Sequence, residues 1–238
     1  MDLSLEFVTA WVGRSFDIEY PVKLYRAIER NYKKDFKFTI ICDETNASRI
    51  IECNELKAAT YYVDGRFPKW WSKIAWFNRR FRKSVFFDLD TIICDDISDI
   101  GNTIRGQYDF AILQNFLQPP VRNPELVDPS EYGSAVMFKS HFSTLYSIIY
   151  DIYLSNPENW QKQFEVGGDQ KFIEYVISKY DMPIGFLQYS GFEPNYFRSV
   201  KYPEQLYAVP DRTKIICYHG LPRPHQDKEN PIIKEHWI

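Results

Sequence analysis

The sequence predicts an α/β fold, in which a β-sheet is covered by helices. The main observation is that short apolar runs alternate along the chain with segments whose apolar residues recur at helical spacing. The chain has 238 residues, of which 45% are hydrophobic and 17% aromatic, so it can bury the core of one large domain. We find no internal repeat and no low-complexity tract, which favours a single domain over residues 1–238.

The first half of the chain contains a regular alternation of elements. Strands are predicted at 5–12 (LEFVTAWV), 36–43 (FKFTIICD), 85–93 (VFFDLDTII) and 108–114 (YDFAILQ). A helix is predicted from Pro21 through Tyr32, because proline suits a first helical turn and one face carries Val22, Tyr25 and Ile28. A second helix is predicted over 69–81, where apolar side chains are spaced by four, three and four at Trp70, Ile74, Phe77 and Phe81. We expect the tryptophans of this helix to be core or lid residues.

The second half is less regular. The segment 118–130 (QPPVRNPELVDPS) contains four prolines and is predicted to be a loop or an excursion. A compact apolar run follows at 132–139, and helices are predicted over about 143–154 and 167–180, with Asp169 available to cap the latter. From Pro183 the chain is rich in aromatic and loop-forming residues, and it closes with a strand at 213–220 (TKIICYHG).

The composition argues against several classes of function. Lys and Arg total 29 against 32 Asp and Glu, and the net charge of -3 provides no overall attraction for nucleic acid or an anionic membrane. No stretch approaches the ~20 apolar residues that span a bilayer, and the N-terminal MDLSLEFVTAWVG does not resemble a signal peptide. The four cysteines are scattered without a CxxC pair, so we do not expect them to bind metal. These features predict a cytoplasmic protein.

Two aspartates interrupt the apolar strand predicted at 85–93. Asp88 and Asp90 are two residues apart, so on an extended strand their side chains point to the same face. Ligands of open α/β sheets bind at the carboxyl ends of the strands, where two convergent carboxylates repel each other unless a cation compensates them. Oxygen ligands favour a hard ion such as Mg²⁺ or Mn²⁺. The alternative is that one aspartate caps a turn while the other forms a salt bridge.

Two families contain a string similar to VFFDLDTI. The first is the haloacid-dehalogenase-like phosphatases, and this resemblance would make Asp88 a nucleophile. The glycine of their DxDGT motif is missing here, however, because Thr91 follows Asp90 directly. The second is the glycosyltransferases with a GT-A fold, in which a mid-chain DxD holds a divalent metal on the diphosphate of a nucleotide sugar.

Three further stretches favour the second family. WWSKIAWF (70–77), GSAVMFK (133–139) and ICYHGLPRPH (216–225) resemble, in order and spacing, segments of the small bacterial and viral glycosyltransferases related to glycosyltransferase family 8. The resemblance implies a GT-A fold, with a mostly parallel, Rossmann-like mixed sheet flanked by helices. It also implies a nucleotide-sugar-binding half at about 1–115 and an acceptor-binding half at about 130–238.

The same resemblance implies a metal-dependent hexosyltransferase that uses a nucleotide sugar, with UDP favoured, and a hydroxyl of a glycan as acceptor. Asp88, Asp90 and His219 would ligate the metal, and we favour Mn²⁺ over Mg²⁺ because manganese accepts an imidazole more readily. Leu89 and Gly220 lie within these two motifs and are included in the donor site. The cations that would face the diphosphate are Lys73 and Arg223.

Asp169 and Gln170 correspond in the resemblance to a pair beside the anomeric carbon of the donor. Asp169 would bind hydroxyls of the donor sugar or acceptor, and Gln170 would stabilise an oxocarbenium-like transition state. A glutamine is a poor nucleophile, so retention of configuration would proceed by attack from the face of the leaving group, assisted by a diphosphate oxygen.

The nucleoside is expected at the ends of the first two strands, where the candidates are Thr9, Ala10, Trp11 and Asp43. Two departures from the family pattern, GSA in place of NSG and RPH in place of KPW, fall on acceptor contacts and on a closing lid. A phosphatase and a noncatalytic nucleotide- or glycan-binding form of the fold remain as alternatives.

Overall fold

A computed structural model describes residues 4–103, 108–115, 132–140, 143–193, 195–200, 212–218 and 223–238. The strands in this part of the chain are β1 (Leu5–Trp11), β2 (Phe36–Cys42), β3 (Ala59–Tyr62), β4 (Ser84–Phe87), β5 (Thr91–Ile93), β6 (Phe110–Gln114), β7 (Tyr132–Lys139), β8 (Gly185–Phe186), β9 (Phe197–Val200) and β10 (Ile215–Tyr218). The α-helices are α1 (Glu19–Asn31), α2 (Glu44–Glu52), α3 (Ile100–Thr103), α4 (Ser147–Ser155), α5 (Pro157–Gln163), α6 (Gly168–Lys179) and α7 (Pro231–His236).

The central sheet is mixed and mostly parallel, as predicted. Within the described residues it has seven strands in the order β3-β2-β1-β4-β7-β6-β8. β7 runs antiparallel to its neighbours β4 and β6, and the remaining pairs are parallel. A second sheet of three described strands has the order β5-β10-β9. The carboxyl ends of β1, β2 and β4 therefore lie at one edge of the central sheet, which is where α/β proteins bind ligands.

Each face of the central sheet is covered by its own apolar layer. Consecutive residues of a strand point to opposite faces, and accordingly Phe7 packs on one side with α1 and the second sheet, while Val8 packs on the other. The second layer is built from α4, α6 and a 3-10 helix, Lys69–Phe77. This 3-10 helix forms one wall of the site described below.

The strand predicted at 85–93 is in fact two strands in different sheets. β4 belongs to the central sheet and β5 pairs with β10, so the chain changes sheets between them. Asp88, Leu89 and Asp90 form the intervening turn, which is closed by the Thr91 amide donating to the Asp88 carbonyl at 3.1 Å. The two aspartates thus lie on a turn that directly follows a buried strand, and the prediction of a continuous strand was wrong.

Three other differences have local causes. The predicted helix over 69–81 is a 3-10 helix that ends at Phe77. Helix α2 has no equivalent in the prediction, because its buried residues are Asn46 and Ile50 and these provide almost no apolar stripe. Helix α6 begins after Gly167, which has a φ of 90° and no side-chain cap, so Asp169 does not cap the helix. No helix of the described residues is long and apolar enough to cross a bilayer.

Candidate active site

A pocket of about 330 Å³ opens at the carboxyl ends of β1 and β4. It collects side chains from four parts of the chain: the end of β1 and the following loop, the 3-10 helix, the turn after β4, and the segment around β10. The lining residues are Ala10, Val12, Ser15, Phe16, Lys69, Trp70, Ser72, Lys73, Asp88, Leu89, Asp90, Tyr218 and Arg223. Both aspartates of the DxD and both predicted cations are among them.

Lys73 is the centre of a buried polar cluster. Its Nζ donates to Asp88 Oδ2 at 2.9 Å and to Ser134 Oγ at 2.8 Å, and it lies 3.5 Å from Asp169 Oδ2. Ser134 Oγ in turn donates to Asp169 Oδ2 at 2.8 Å. The cluster joins the 3-10 helix, the turn after β4, strand β7 and the start of α6, so it fixes Asp169 against the DxD.

Asp90 has a different cation. Arg223 Nη1 lies 3.1 Å from Asp90 Oδ2, and the guanidinium stands 4.2 Å from the centre of the Phe16 ring. An aromatic face stabilises a cation placed over it and orients its plane. The segment that follows β10 is thereby attached to the turn after β4.

The electrostatics of the cluster favour bound cations. Burial and the neighbouring Asp90 raise the pKa of Asp88 to about 7, although the Lys73 ammonium opposes this shift. Burial likewise raises the pKa of Asp90, against the effect of Arg223 and Lys73. For Lys73, burial alone would lower the pKa, but the carboxylates of Asp169 and Asp88 outweigh it and raise the pKa. The two aspartates therefore retain a demand for positive charge that the side-chain partners meet only in part.

Comparison with solved structures identifies the architecture. No protein-family model matches the sequence, and no curated protein matches it. The galactosyltransferase LgtC, solved in complex with donor and acceptor sugar analogues, superimposes with a TM-score of 0.63 at 13% identity, over 96% of this chain and 92% of LgtC. The glycosyltransferase GlyE of Streptococcus pneumoniae TIGR4 gives 0.55 at 15% identity, over 93% of this chain and 56% of GlyE. Mouse xyloside xylosyltransferase 1 gives 0.52 at 13% identity, over 92% and 98%.

This chain has a GT-A glycosyltransferase fold. The predicted fold class is confirmed, whereas membership of glycosyltransferase family 8 rests on the resemblance in sequence alone. The chain spans 56% of the length of GlyE, and at these levels of identity the similarity concerns the architecture.

The donor set of the GT-A pocket fits a hard divalent cation in part. Asp88 and Asp90, two positions apart on one turn, both line the pocket, and carboxylate oxygens are the ligand type that Mg²⁺ and Mn²⁺ prefer. In the described part of the chain, no group of three or more His, Cys, Asp or Glu residues could hold a metal ion. His219 and Gly220 lie outside the described residues, so the third ligand stays a prediction.

Of the four predicted nucleoside residues, one lines the pocket, and Trp11 and Asp43 have hydrogen-bond partners of their own. Ala10 lines the pocket, whereas Thr9 and Trp11 are buried, with the Trp11 indole donating to the Phe16 carbonyl at 3.1 Å. Asp43 accepts from the Asn46 amide at 2.9 Å, as the N-cap of α2, and from the Gly13 amide at 2.7 Å. The Asp43 carboxylate therefore shapes the loop after β1.

The second catalytic candidate, Gln170, is half-buried in the first turn of α6, one residue after Asp169, and is not among the residues that line the pocket. Sequence reasoning missed two contributors, Phe16 and Tyr218, and gave Ser134 no role of its own. Ser134 was noted only within the GSA segment that stands in place of NSG, and it proves to be the link between Lys73 and Asp169. Phe16, beneath Arg223, and the buried Tyr218 gave no signal, because their neighbours in the site are distant in sequence.

Proposed function

We propose that this chain is a metal-dependent glycosyltransferase. In this proposal it transfers a hexose from a nucleotide sugar, with UDP as the nucleotide, to a hydroxyl of a glycan acceptor with retention of configuration. The observation that carries the proposal is the pairing, in one pocket of a GT-A fold, of the Asp88–Asp90 turn with Lys73 and Arg223. LgtC, whose structure contains donor and acceptor sugar analogues, supports the choice of substrate class.

Lys73 and Arg223 are assigned to the diphosphate. Cleavage of the bond between sugar and phosphate builds negative charge on the departing diphosphate, and preorganised cations in a partly dehydrated pocket stabilise that charge. The guanidinium of Arg223 can donate to two phosphate oxygens, and it is placed over the ring of Phe16. Mn²⁺ or Mg²⁺, held by Asp88, Asp90 and His219, would supply further charge stabilisation as a Lewis acid.

Asp169 and Gln170 are assigned to the sugar. Asp169 is 5% exposed, is held by Ser134 and Lys73 and is not among the residues that line the pocket, so its carboxylate would have to become accessible when the donor binds in order to accept from sugar hydroxyls. Gln170, on the next position of the same helical turn, would place its amide oxygen toward a developing oxocarbenium ion. These roles need the half-buried Gln170 to turn toward the pocket when the donor binds.

A thermal-shift screen tests the donor site first. UDP, GDP, CMP and TDP would each be added with and without Mn²⁺, because a ligand that binds the folded state raises its melting temperature. We expect the largest shift with UDP and Mn²⁺ together. Shifts that are equally absent with all four nucleotides would contradict the proposal.

Asp90→Ala tests the catalytic assignment. This variant removes one predicted metal ligand without removing core volume, so Mn²⁺-dependent release of UDP from UDP-sugars should be lost while the protein stays folded. Asp95→Ala, which changes an exposed aspartate five positions later, is the matched control. Unchanged turnover in Asp90→Ala would refute the assignment.

The same assays separate the alternatives. A noncatalytic form of the fold predicts nucleotide binding without release of UDP. The phosphatase alternative predicts a phosphoaspartate at Asp88, and it has lost its structural support because the neighbours of this chain are GT-A transferases.

A further inference from the structure

Trp70 is an exposed aromatic residue at the mouth of the donor pocket. It lines the pocket and 51% of its surface is accessible, whereas its neighbours Trp71 and Trp76 on the same 3-10 helix are buried in the second apolar layer. Several large apolar side chains of the described residues are exposed, but among them Trp70 alone lines this pocket, and aromatic side chains that line a concave site commonly contact its ligand. Of the two roles expected for these tryptophans, core or lid, Trp70 does not have the first.

One edge of the Trp70 indole ring packs against helix α6. A Cβ atom on Gly168 would lie 2.8 Å from the indole Nε1 and 3.1 Å from Cδ1, so the ring edge rests directly on the bare backbone at the start of α6. Gly167 and Gly168 have φ values of 90° and 55°, which glycine adopts readily. The residue before Trp70, Lys69, has a φ of 50°, which is uncommon for a residue with a side chain. One edge of the ring thus packs on the start of α6, while about half of the Trp70 surface remains exposed to solvent.

The depth at which the charged side chains lie in the pocket indicates which substrate contacts the Trp70 ring. Two of the groups assigned to the diphosphate and its metal lie deep in the pocket: Lys73 is 7% exposed and the predicted metal ligand Asp90 is 8% exposed. Trp70 lies at the solvent side, against the helix turn that carries Asp169 and Gln170. A donor whose diphosphate fills the deep part of the pocket would leave the ring facing the molecule that enters afterwards.

We propose that Trp70 is the stacking platform for a pyranose ring of the acceptor, an inference that rests on the proposed function. A pyranose presents C–H groups on at least one face, and these carry partial positive charge that matches the negative face of an aromatic ring. The platform would set which face of the acceptor is covered and therefore which hydroxyl points toward Asp169 and Gln170. Trp70 is thus a specificity-determining residue for the acceptor.

Binding can be measured directly on the indole N–H. The sequence has six tryptophans, and the Trp70 signal in a spectrum of ¹⁵N-labelled protein is assigned by its loss in Trp70→Phe. The protein, saturated with UDP and Mn²⁺, is titrated with the methyl α- and β-pyranosides of glucose, galactose and mannose. We expect at least one pyranoside to shift the Trp70 signal progressively while the signals of Trp71 and Trp76 stay in place.

Other outcomes overturn the inference. If UDP binds but no pyranoside moves the Trp70 signal, the inference fails and the proposed function stands. If UDP alone produces the whole shift, the ring stacks on the nucleobase instead. If UDP does not bind, the proposed function fails and this inference fails with it.

Kinetics with the pyranoside that binds best provide the second readout. Trp70→Ala should raise the acceptor KM at least tenfold with less than a threefold change in kcat, and Trp70→Phe should stay within threefold of the wild type in both. Gly168→Ala, which displaces the ring, should raise the acceptor KM in the same way. Tyr62→Ala removes an exposed aromatic that does not line the pocket and is the control. Equal acceptor KM values for Trp70→Ala and Tyr62→Ala would contradict the assignment.

Discussion

Replacing Lys73 by methionine should destabilise the protein strongly, because it leaves the half-buried carboxylate of Asp88 and the buried carboxylate of Asp169 without the ammonium that neutralises both. Asp88 Oδ2 and Asp169 Oδ2 lie 2.9 and 3.5 Å from the ammonium, and their side chains are 28% and 7% exposed. With an effective dielectric constant of ~20, Coulomb's law gives attractions of about 6 and about 5 kcal/mol at these distances. The dehydration of three charged groups offsets most of this sum, and losing one partner of a buried ion pair typically costs about 3–5 kcal/mol.

A loss of that size corresponds to a melting temperature lower by about 6–20 °C for a chain of this length. The measurement is thermal unfolding at pH 7, together with denaturant unfolding to obtain the free energy. Arg66→Met removes an exposed ion pair with Asp64 and should cost no more than about 1 kcal/mol. Adding Asp88→Asn to Lys73→Met should recover part of the loss, because it removes one of the uncompensated charges. If Lys73→Met were no less stable than Arg66→Met, the view of Lys73 as the neutralising centre would be wrong.

Two further predictions concern groups outside this cluster. Burial lowers the pKa of Lys139, whose side-chain nitrogen donates to the Trp76 carbonyl. At a pH between this lowered pKa and 10.5, the pKa of an unburied lysine, the unfolded chain binds more protons than the folded chain. The stability of the wild type should therefore rise with pH toward 10.5. Lys139→Met should remove this rise. If the free energy of unfolding changes between pH 7 and pH 9.5 by the same amount in the wild type and in Lys139→Met, the prediction is wrong. Asp43→Ala should cost about 0.5–2 kcal/mol in urea unfolding, because the cap of α2 is lost, while Asp43→Asn should cost less. Loss of UDP binding in Asp43→Ala at unchanged stability would instead assign Asp43 to the nucleoside.

The α/β class could be predicted from the sequence because strands and helices each have a characteristic local periodicity of apolar residues. β1, β2 and α1 lie within one or two residues of their predicted positions at 5–12, 36–43 and 21–32. Helix α2 was missed since a nearly all-polar helix has no such periodicity. The change of sheet after β4 was missed for another reason: the residues on both sides of the DxD are equally apolar, and only their partners, β7 and β10, differ.

The part of the site that could be predicted is the part whose residues lie close together in the sequence. The DxD string made Asp88 and Asp90 conspicuous, because carboxylates are rare in apolar runs. Ser134 and Lys73 are 61 positions apart, and no periodicity links them. Trp70 also escaped prediction, since its spacing matches that of the buried Ile74 and only the position of Gly168 shows that its ring lies at a pocket mouth.

The charges of the pocket predict that nucleotide and metal bind cooperatively. Lys73 is paired with Asp88 and Asp169, and Arg223 is paired with Asp90, so a nucleoside diphosphate alone would have to compete with these carboxylates for the two cations. A divalent cation alone would likewise have to compete, because the carboxylates are already paired with Lys73 and Arg223. With both present, the carboxylates exchange their side-chain partners for the metal, and Lys73 and Arg223 become free for phosphate oxygens.

Such coupling is typically worth about 1–3 kcal/mol, or about 5- to 150-fold in affinity, and it is reciprocal. Calorimetric titrations should therefore show that Mn²⁺ tightens UDP binding by the same factor by which UDP tightens Mn²⁺ binding. Equal UDP affinities with and without Mn²⁺ would show that the two ion pairs do not exchange in this way.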